Sequence, residues 1–575
     1  LVPMLSELLL RCRGVGVLAT SRERLGIPSE TVWPVTTLPL PPEDADVSEA
    51  LATPSVELFL QRANAVRPGF ELEDDTVRAV VGICRRVDGL PLALELAASQ
   101  LSVLAPDRLL DGLDDRFAVL RSRDRGRPAR QRTMEAAIDW SVRLLDPDER
   151  TALGRLAVFA KDFSLEAATS ALADGAEIDR GDVAELVWRL CERSLVAFDQ
   201  TGNDSRYRLL ETVRAYAWRL LAERNEVGGT AERLAQWWVD RFALRWPMDR
   251  LRAGEISDEL ENLQMLIPLL AADRQDLAQQ LACAIGRCYY ALNTPRHSIN
   301  ELSGYAKTLT SLFPARVSLL ATLANLHARH GDIASAGAAA TAAAGVQSAC
   351  GGPPPWDDVA VEWASGEVAI RSCDYEQAGA VARGALERRL TSRGRARMLN
   401  LLGLSAAFAG DYAAAVAAFE QSLLIARSLG DVHIAAIAEG NLAEIALRYG
   451  DVTAAARHLR ACLGLGLALG SEVQIAYSMI TAARLAARED AALAVRLNAK
   501  AEQVLADNGR PDLALSEQML ETIRQVLGGD EFAAADVAGR TMALPEAALL
   551  AGQALDRAAQ TEPDQLSASP RRSRA

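Results

Sequence analysis

Apolar residues recur along most of this chain at the three- and four-residue spacing of a helix face, and only a few short runs break that rhythm. Before residue 225 the spans 55–66, 75–87, 92–103, 132–144, 146–159, 183–191 and 211–223 predict amphipathic helices. Asp88-Gly89-Leu90-Pro91 interrupts the second and third of these, and places Pro91 near a first helical turn, where proline is tolerated. The runs 195–198 and 207–210 flank the polar stretch 199–204 and predict a β-hairpin. Helices followed by such a hairpin predict a winged helix. A further run, 15–19 (VGVLA), lies between Arg13-Gly14 and Thr20-Ser21-Arg22 and predicts a buried parallel strand, with 1–12 as the helix before it. One strand and one helix cannot make a sheet. The expectation is the end of an α/β domain whose other strands lie upstream, which fits a sequence that starts with Leu1-Val2-Pro3.

Residues 224–230 (RNEVGGT) read as a breaker-rich linker between helical segments and predict a domain boundary, and beyond residue 230 the rhythm becomes a repeat. Gly331-Asp332, Cys373-Asp374, Gly410-Asp411, Gly450-Asp451 and Glu489-Asp490 follow one another at intervals of 42, 37, 40 and 39 residues. At one fixed offset stand Ala336, Ala378, Ala415, Ala455 and Ala494; at another stand Ala343, Ala385, Ser422, Cys462 and Ala501. Leu323-Ala324, Leu402-Gly403 and Leu442-Ala443 occupy the preceding helices. Small residues let paired helices approach closely and Gly-Asp makes the turn between them, so the pattern predicts a tetratricopeptide-like solenoid with a concave binding face. Residues 255–290 supply an irregular first pair, 351–355 (GGPPP) a linker, and 543–559 a closing helix opened by Pro545. Gly464 to Gly470 superficially resembles a phosphate loop, but it follows a helical segment and lies within a repeat.

Composition changes the picture little. Half of the 575 residues are hydrophobic while aromatics make up 5%, so alanine and leucine carry the core and favour helix. A net charge of −14 disfavours generic nucleic-acid binding. No apolar run reaches the ~20 residues of a membrane span. The eight cysteines include no CxxC pair and predict buried free thiols in a reducing cytoplasm. The five histidines are dispersed, and His327 with His330 predicts a surface pair rather than a metal site.

Four stretches, in order, carry a resemblance: Thr20-Ser21-Arg22-Glu23-Arg24-Leu25, Gly89 to Ala97 (GLPLALELA), Arg130 to Thr133 (RQRT) with Trp140-Ser141, and Tyr207 to Arg214 (YRLLETVR). Together they resemble the signal-transduction ATPases with numerous domains (STAND), specifically actinobacterial regulators with an NB-ARC-type module, often fused to a LuxR-type or SARP-type DNA-binding domain. The resemblance implies ATP/ADP with Mg as cofactor of the full-length parent, with Arg22 reaching the terminal phosphate, Thr20 beside it, and Pro91 packing on the base. An arginine just past a strand's carboxyl end can reach the ligand crevice of an open α/β sheet, which makes that role physically sensible. Where related winged helices carry a histidine, this chain has Leu209-Leu210-Glu211, so Glu211 is expected to serve as an ordinary helix N-terminal carboxylate. The sequence contains no GxxxxGK[ST] loop to cradle phosphates.

The combined expectation is a mainly α chain. Residues 1–37 form the remnant of an α/β P-loop NTPase domain, 38–128 a helical lid subdomain and 129–225 a winged helix. Residues 226–560 form a tetratricopeptide-like α-solenoid, and 561–575 a disordered tail. The parent is expected to be a slow ATPase switch, with this chain inactive alone and holding neither catalytic nor metal residues. A protein or small-molecule inducer would bind the repeats and DNA would be reached only through a domain outside this chain. The resemblance also implies nucleotide-dependent homo-oligomers, a cytoplasmic location and no membrane. A signalling enzyme such as a cyclase or kinase fused to the same module, or a repeat-only scaffold, are the alternatives.

Overall fold

The computed structural model describes residues 2–560 except 13–14, 20–24, 28–29, 32, 34, 114–133, 202–203, 244–249, 293–296, 488 and 508–516. The chain divides into two compact units, residues 1–237 and 238–575.

In the first unit, Val2–Arg11 is helical, but residues 15–19 adopt no strand and are exposed, with Leu18 fully so. The predicted buried strand is therefore corrected. A strand exists only through lateral hydrogen bonds, and among the described residues no strand lies beside it. The helical group that follows comprises Val47–Leu51, Pro54–Val66, Val77–Arg86, Pro91–Gln100 and Pro106–Gly112. Asp46 and Glu49 form a reciprocal capping box at its start. Phe59, Ile83 and Leu94 are fully buried between these helices.

Four helices then precede the hairpin: Met134–Val142, Pro147–Leu156, Leu165–Leu172 and Val183–Glu192. A second capping box, Asp146 with Glu149, opens Pro147–Leu156. Strands β1 (Val196–Thr201) and β2 (Asp204–Leu209) pair antiparallel, Val196 opposite Leu209. Phe163 adds a bridge through mutual backbone hydrogen bonds with Tyr207 of 2.8 and 2.9 Å. Phe159 stacks on Phe163 at 4.3 Å beneath it. Glu211–Glu223 closes the winged helix.

A buried ion cluster ties this domain to the next helix. Arg155, 3% exposed, pairs with Asp174 and Glu226 at 2.7 Å each and donates to the Leu172 carbonyl at 2.7 Å. Burial alone would push the Asp174 carboxyl up, but the amides of Ala176, Glu177 and Ile178 together with Arg155 hold it well below the carboxylate range. The stretch 224–230 is thus anchored, and the helix Val227–Trp238 begins inside it. That corrects its reading as a breaker-rich linker. Ala231, Leu234, Ala235 and Trp238 are buried, and this packing outweighs the helix cost of Gly228 and Gly229, about 1 kcal/mol each.

The second unit is a solenoid of helix pairs. After Arg250–Asp258, Leu260–Leu270, Gln275–Leu292 and His297–Thr308 come Pro314–Arg329 with Ile333–Ala349 and Ala360–Arg371 with Tyr375–Leu386. Ser392–Phe408 pairs with Tyr412–Leu429, Val432–Arg448 with Val452–Leu469, and Glu472–Ala486 with Ala491–Asp507. Glu517–Leu527, Gly529–Thr541 and Leu544–Gln560 complete it.

Four of the turns within pairs use one device. Gly331, Cys373, Gly410 and Gly450 adopt left-handed backbone, with φ between 59° and 86°. The next residue, Asp332, Asp374, Asp411 or Asp451, then caps the second helix by accepting its third amide at 2.8–3.1 Å. Both small-residue columns face the core: Ala336, Ala378, Ala415, Ala455 and Ala494 are completely buried, as are Ala343, Ser422 and Ala501. Among the cysteines, Cys84, Cys283, Cys288 and Cys462 are buried, whereas Cys12 and Cys373 are exposed, Cys373 because it occupies a turn. His327 is largely buried, with Nδ1 3.4 Å from Asp332, rather than half of a surface pair. Among the described residues no helix is long and apolar enough to cross a membrane.

Candidate functional site

The first helices of successive pairs present residues at three- and four-residue spacing, which places them on one face. Trp363, Glu367 and Arg371 form one such stripe on Ala360–Arg371. Arg393, Arg397, Asn400 and Leu404 form the next, and His433, Ile437, Asn441 and Glu444 the third. With Tyr290, Arg329 and Tyr477, the first and third stripes and Asn400 and Leu404 of the second line a cavity of about 380 Å³, within the range of small-molecule sites. A narrower recess at its inner end is bounded by Tyr290, Trp363, Arg393, Arg397, Asn400 and His433.

Charge is distributed unevenly inside it. Arg393 pairs with Asp431 and Arg397 with Asp357, each at 2.8 Å, and Arg397 lies over the Trp363 ring. Burial pushes the Arg393 guanidinium down to about 10, against the pull of Asp431. Arg329 lies flat on Tyr290, 3.4 Å from the ring centroid, and donates to the Tyr290 carbonyl at 2.9 Å. Among the described residues no carboxylate pairs with Arg329. His433 meets the Tyr290 ring edge-on. Burial first, and Arg329 next, push its imidazole down to about 4, so it is neutral at physiological pH. Asn441 donates to Asn400 at 3.4 Å, leaving the Asn400 amide donors and the Asn441 carbonyl free of that contact. The far side carries Glu367 and Glu444, the latter 3.8 Å from Arg484.

The nucleotide residues expected from the sequence are placed differently. Thr20 and Arg22 lie outside the described residues, as do Arg130 to Thr133. Pro91 is the exposed first residue of its helix. Beside it, Gly89 has φ +62° and a Cβ there would sit 2.3 Å from the Leu38 carbonyl, while the Leu38 amide donates to the Gly89 carbonyl at 3.1 Å. Asp88 turns away from Pro91 and caps Glu211–Glu223, accepting from the Glu211 amide at 2.6 Å. The Glu211 side chain pairs with Arg214 at 2.8 Å. On Val183–Glu192, just before the hairpin, Arg189 is bound by Glu185 and Asp146, and Trp188 is 55% exposed. The solenoid cavity was not named from the sequence. Its signal was present in the four-residue spacing of 363/367/371 and 433/437/441.

Comparison with known proteins gives one family match, two relatives and one solved structure. A family model described as "Winged helix-turn-helix domain" matches residues 145–222, the segment from Pro147–Leu156 through Glu211–Glu223. The chain is 38% identical over 261 residues to a "Putative HTH-type transcriptional regulator" of Mycobacterium tuberculosis, covering 45% of this chain and 28% of that protein. It is 34% identical over 251 residues to an uncharacterized protein of Mycobacterium bovis, covering 44% of this chain and 60% of that one. The chain thus spans less than a third of the regulator's length. A solved STAND protein with a tetratricopeptide repeat sensor from Pyrococcus horikoshii aligns with 90% of this chain and 74% of its own at 11% identity, with a TM-score of 0.38.

Proposed function

We propose that this chain is the C-terminal portion of an ATP/ADP-dependent signal-transduction switch in a bacterial transcriptional regulator, with its repeats as the sensing element. The carrying observation is the 38% identity over 261 residues to a protein named as an HTH-type regulator, together with the winged-helix match at 145–222. In this reading an inducer or partner occupies the tetratricopeptide-like repeats and releases the nucleotide module, which then oligomerises. The winged helix serves as a packing domain. Its hairpin-proximal helix supports that role, because Arg189 is already neutralised by Glu185 and Asp146, whereas DNA readers present free basic side chains. DNA is reached through a separate domain.

Arg22 supplies the contact to the terminal phosphate, Thr20 lies beside it and Pro91 packs on the base. The test uses the parent protein carrying its upstream half. Calorimetry is expected to give ADP and ATP binding at micromolar concentration, with Arg22→Ala weakening ATP at least ~10-fold and leaving ADP nearly unchanged. A parent that binds neither nucleotide would remove the switch. Equal losses for ATP and ADP would remove Arg22 from the terminal phosphate.

A further inference from the structure

We infer that the solenoid cavity is a binding site for a small organic carboxylate carried on an aromatic body, with the carboxylate at Arg329 and His433 and the ring between Trp363 and Ile437. The inference rests on reading the repeats as the sensing element, and supplies the chemical class of what they sense.

The inner end of the cavity is built for one negative charge. Arg393 and Arg397 are matched by Asp431 and Asp357, so those four residues form a neutral floor. Arg329 stands above that floor with no carboxylate of its own among the described residues. Its stacking on Tyr290 and its single bond to the Tyr290 carbonyl hold the guanidinium plane fixed. Only one of its five N–H donors is used in that bond, and a planar fork held in place is suited to two parallel bonds to a carboxylate. Arg329 is half-buried, so a carboxylate reaching it forms its charge-assisted bonds in a partly water-excluded site, where they are stronger than at an open surface.

The neighbouring groups extend the fit. His433, a neutral imidazole, has one N–H to donate and lines the same cavity as Arg329. Asn400 is 1% exposed, yet its side-chain amide has only the 3.4 Å contact from Asn441. Asn400 lines the cavity, so its Nδ2–H donors can turn to a ligand oxygen. Trp363, Ile437 and Leu404 give the middle of the cavity apolar walls, which suit a flat ring. At about 380 Å³ the cavity takes a molecule of one or two rings and excludes a folded partner.

The probes are 1-naphthylacetate and its neutral isostere 1-naphthylacetamide, titrated into the full chain by calorimetry. One molecule of the acid is expected to bind per chain, at least ~10-fold tighter than the amide. Arg329→Gln is expected to abolish that preference while leaving amide binding unchanged. His433→Gln, which removes no hydrogen bond that His433 makes among the described residues, provides a second test if Arg329→Gln unfolds, and is expected to reduce the preference at least threefold. Equal affinity for acid and amide, no saturable binding of the acid up to millimolar concentration, or a preference that survives in folded variants would overturn the inference. Because these readings need no nucleotide and no upstream segment, their failure leaves the nucleotide switch standing. Failure of nucleotide binding in the parent leaves the cavity standing.

Discussion

The carboxylate of Asp88 accepts a hydrogen bond from the backbone amide of Glu211 at 2.6 Å, across 123 residues of sequence. The Thr212 amide adds a longer contact at 3.4 Å to the same oxygen. Asp88 itself is held at φ 54°, a left-handed conformation that aspartate tolerates better than most residues. A turn between the helices Val77–Arg86 and Pro91–Gln100 thereby caps the last helix of the winged helix, satisfying donors that a helix start leaves unpaired.

That contact carries a pH signature. Burial raises the Asp88 carboxyl to about 6, outweighing the two amides that favour its charged form. Its folded pKa exceeds the ordinary value of 3.8, so the folded chain binds the proton more tightly than the unfolded one. Asp88 therefore contributes most below pH ~4, and its contribution falls as pH rises through about 6, by on the order of 1–3 kcal/mol. Thermal melts between pH 4 and 7 should show Asp88→Asn losing this slope while keeping the cap. An unchanged slope would mean that another group titrates.

Packing between solenoid helices should be intolerant of bulk. A Cβ at Gly403 would lie 2.6 Å from the Phe419 ring, and Ala415 in the same pair is completely buried. Gly403→Ala and Ala415→Leu are each expected to destabilise by about 1–3 kcal/mol. Chemical denaturation of the chain with an unchanged midpoint for Ala415→Leu would remove that alanine from the helix contact.

The ion cluster around Arg155 should decide where proteases cut. Arg224 and Glu226 are paired with each other at 2.7 Å, and Glu226 also with Arg155, so 224–230 is expected to resist limited proteolysis. Arg155→Ala leaves the partly buried Asp174 without its cation and Glu226 with Arg224 alone, and is expected to cost about 3 kcal/mol. First cuts within 224–230 of the unaltered chain would contradict the anchoring. Their appearance only in the variant would support it.

Legibility in the sequence followed the range of the forces involved. The Gly-Asp turns could be read because a left-handed residue and an N-cap act over four residues, and the buried alanine columns followed from their fixed offset to those turns. Residues 15–19 were misread because a strand is defined by neighbours rather than by its own apolar run. Residues 227–238 were misread for the reverse reason: two glycines looked like breakers, yet four buried side chains hold the helix. The cavity lies between these cases. Its stripes have helical spacing, but which faces converge, and that Arg393 and Arg397 are matched by acids while Arg329 is not, depends on helices separated by 30 to 100 residues of sequence.

The chain by itself is expected not to bind ATP or ADP at micromolar concentration. Pro91 is exposed at the start of its helix and offers an apolar surface to a base, and Arg22 offers one charge-assisted contact. Most nucleotide affinity comes from the phosphates, which a P-loop holds through backbone amides and a lysine. The sequence given has no GxxxxGK[ST]. Each missing bond to a charged oxygen is worth roughly 1.5–3 kcal/mol, so three of them amount to about 5 kcal/mol or more, at least ~10³-fold in affinity. The solenoid cavity does not replace that loop. Among the described residues its lining sets Arg329 and Arg371 against Glu367 and Glu444, which leaves no net positive charge to hold a triphosphate. Calorimetry with ATP and ADP should therefore give no heat of binding from this chain under conditions where 1-naphthylacetate does. Micromolar ATP binding that disappears in Arg329→Gln would instead reassign the cavity to phosphate, and binding that persists in that variant would place a nucleotide site elsewhere in the chain.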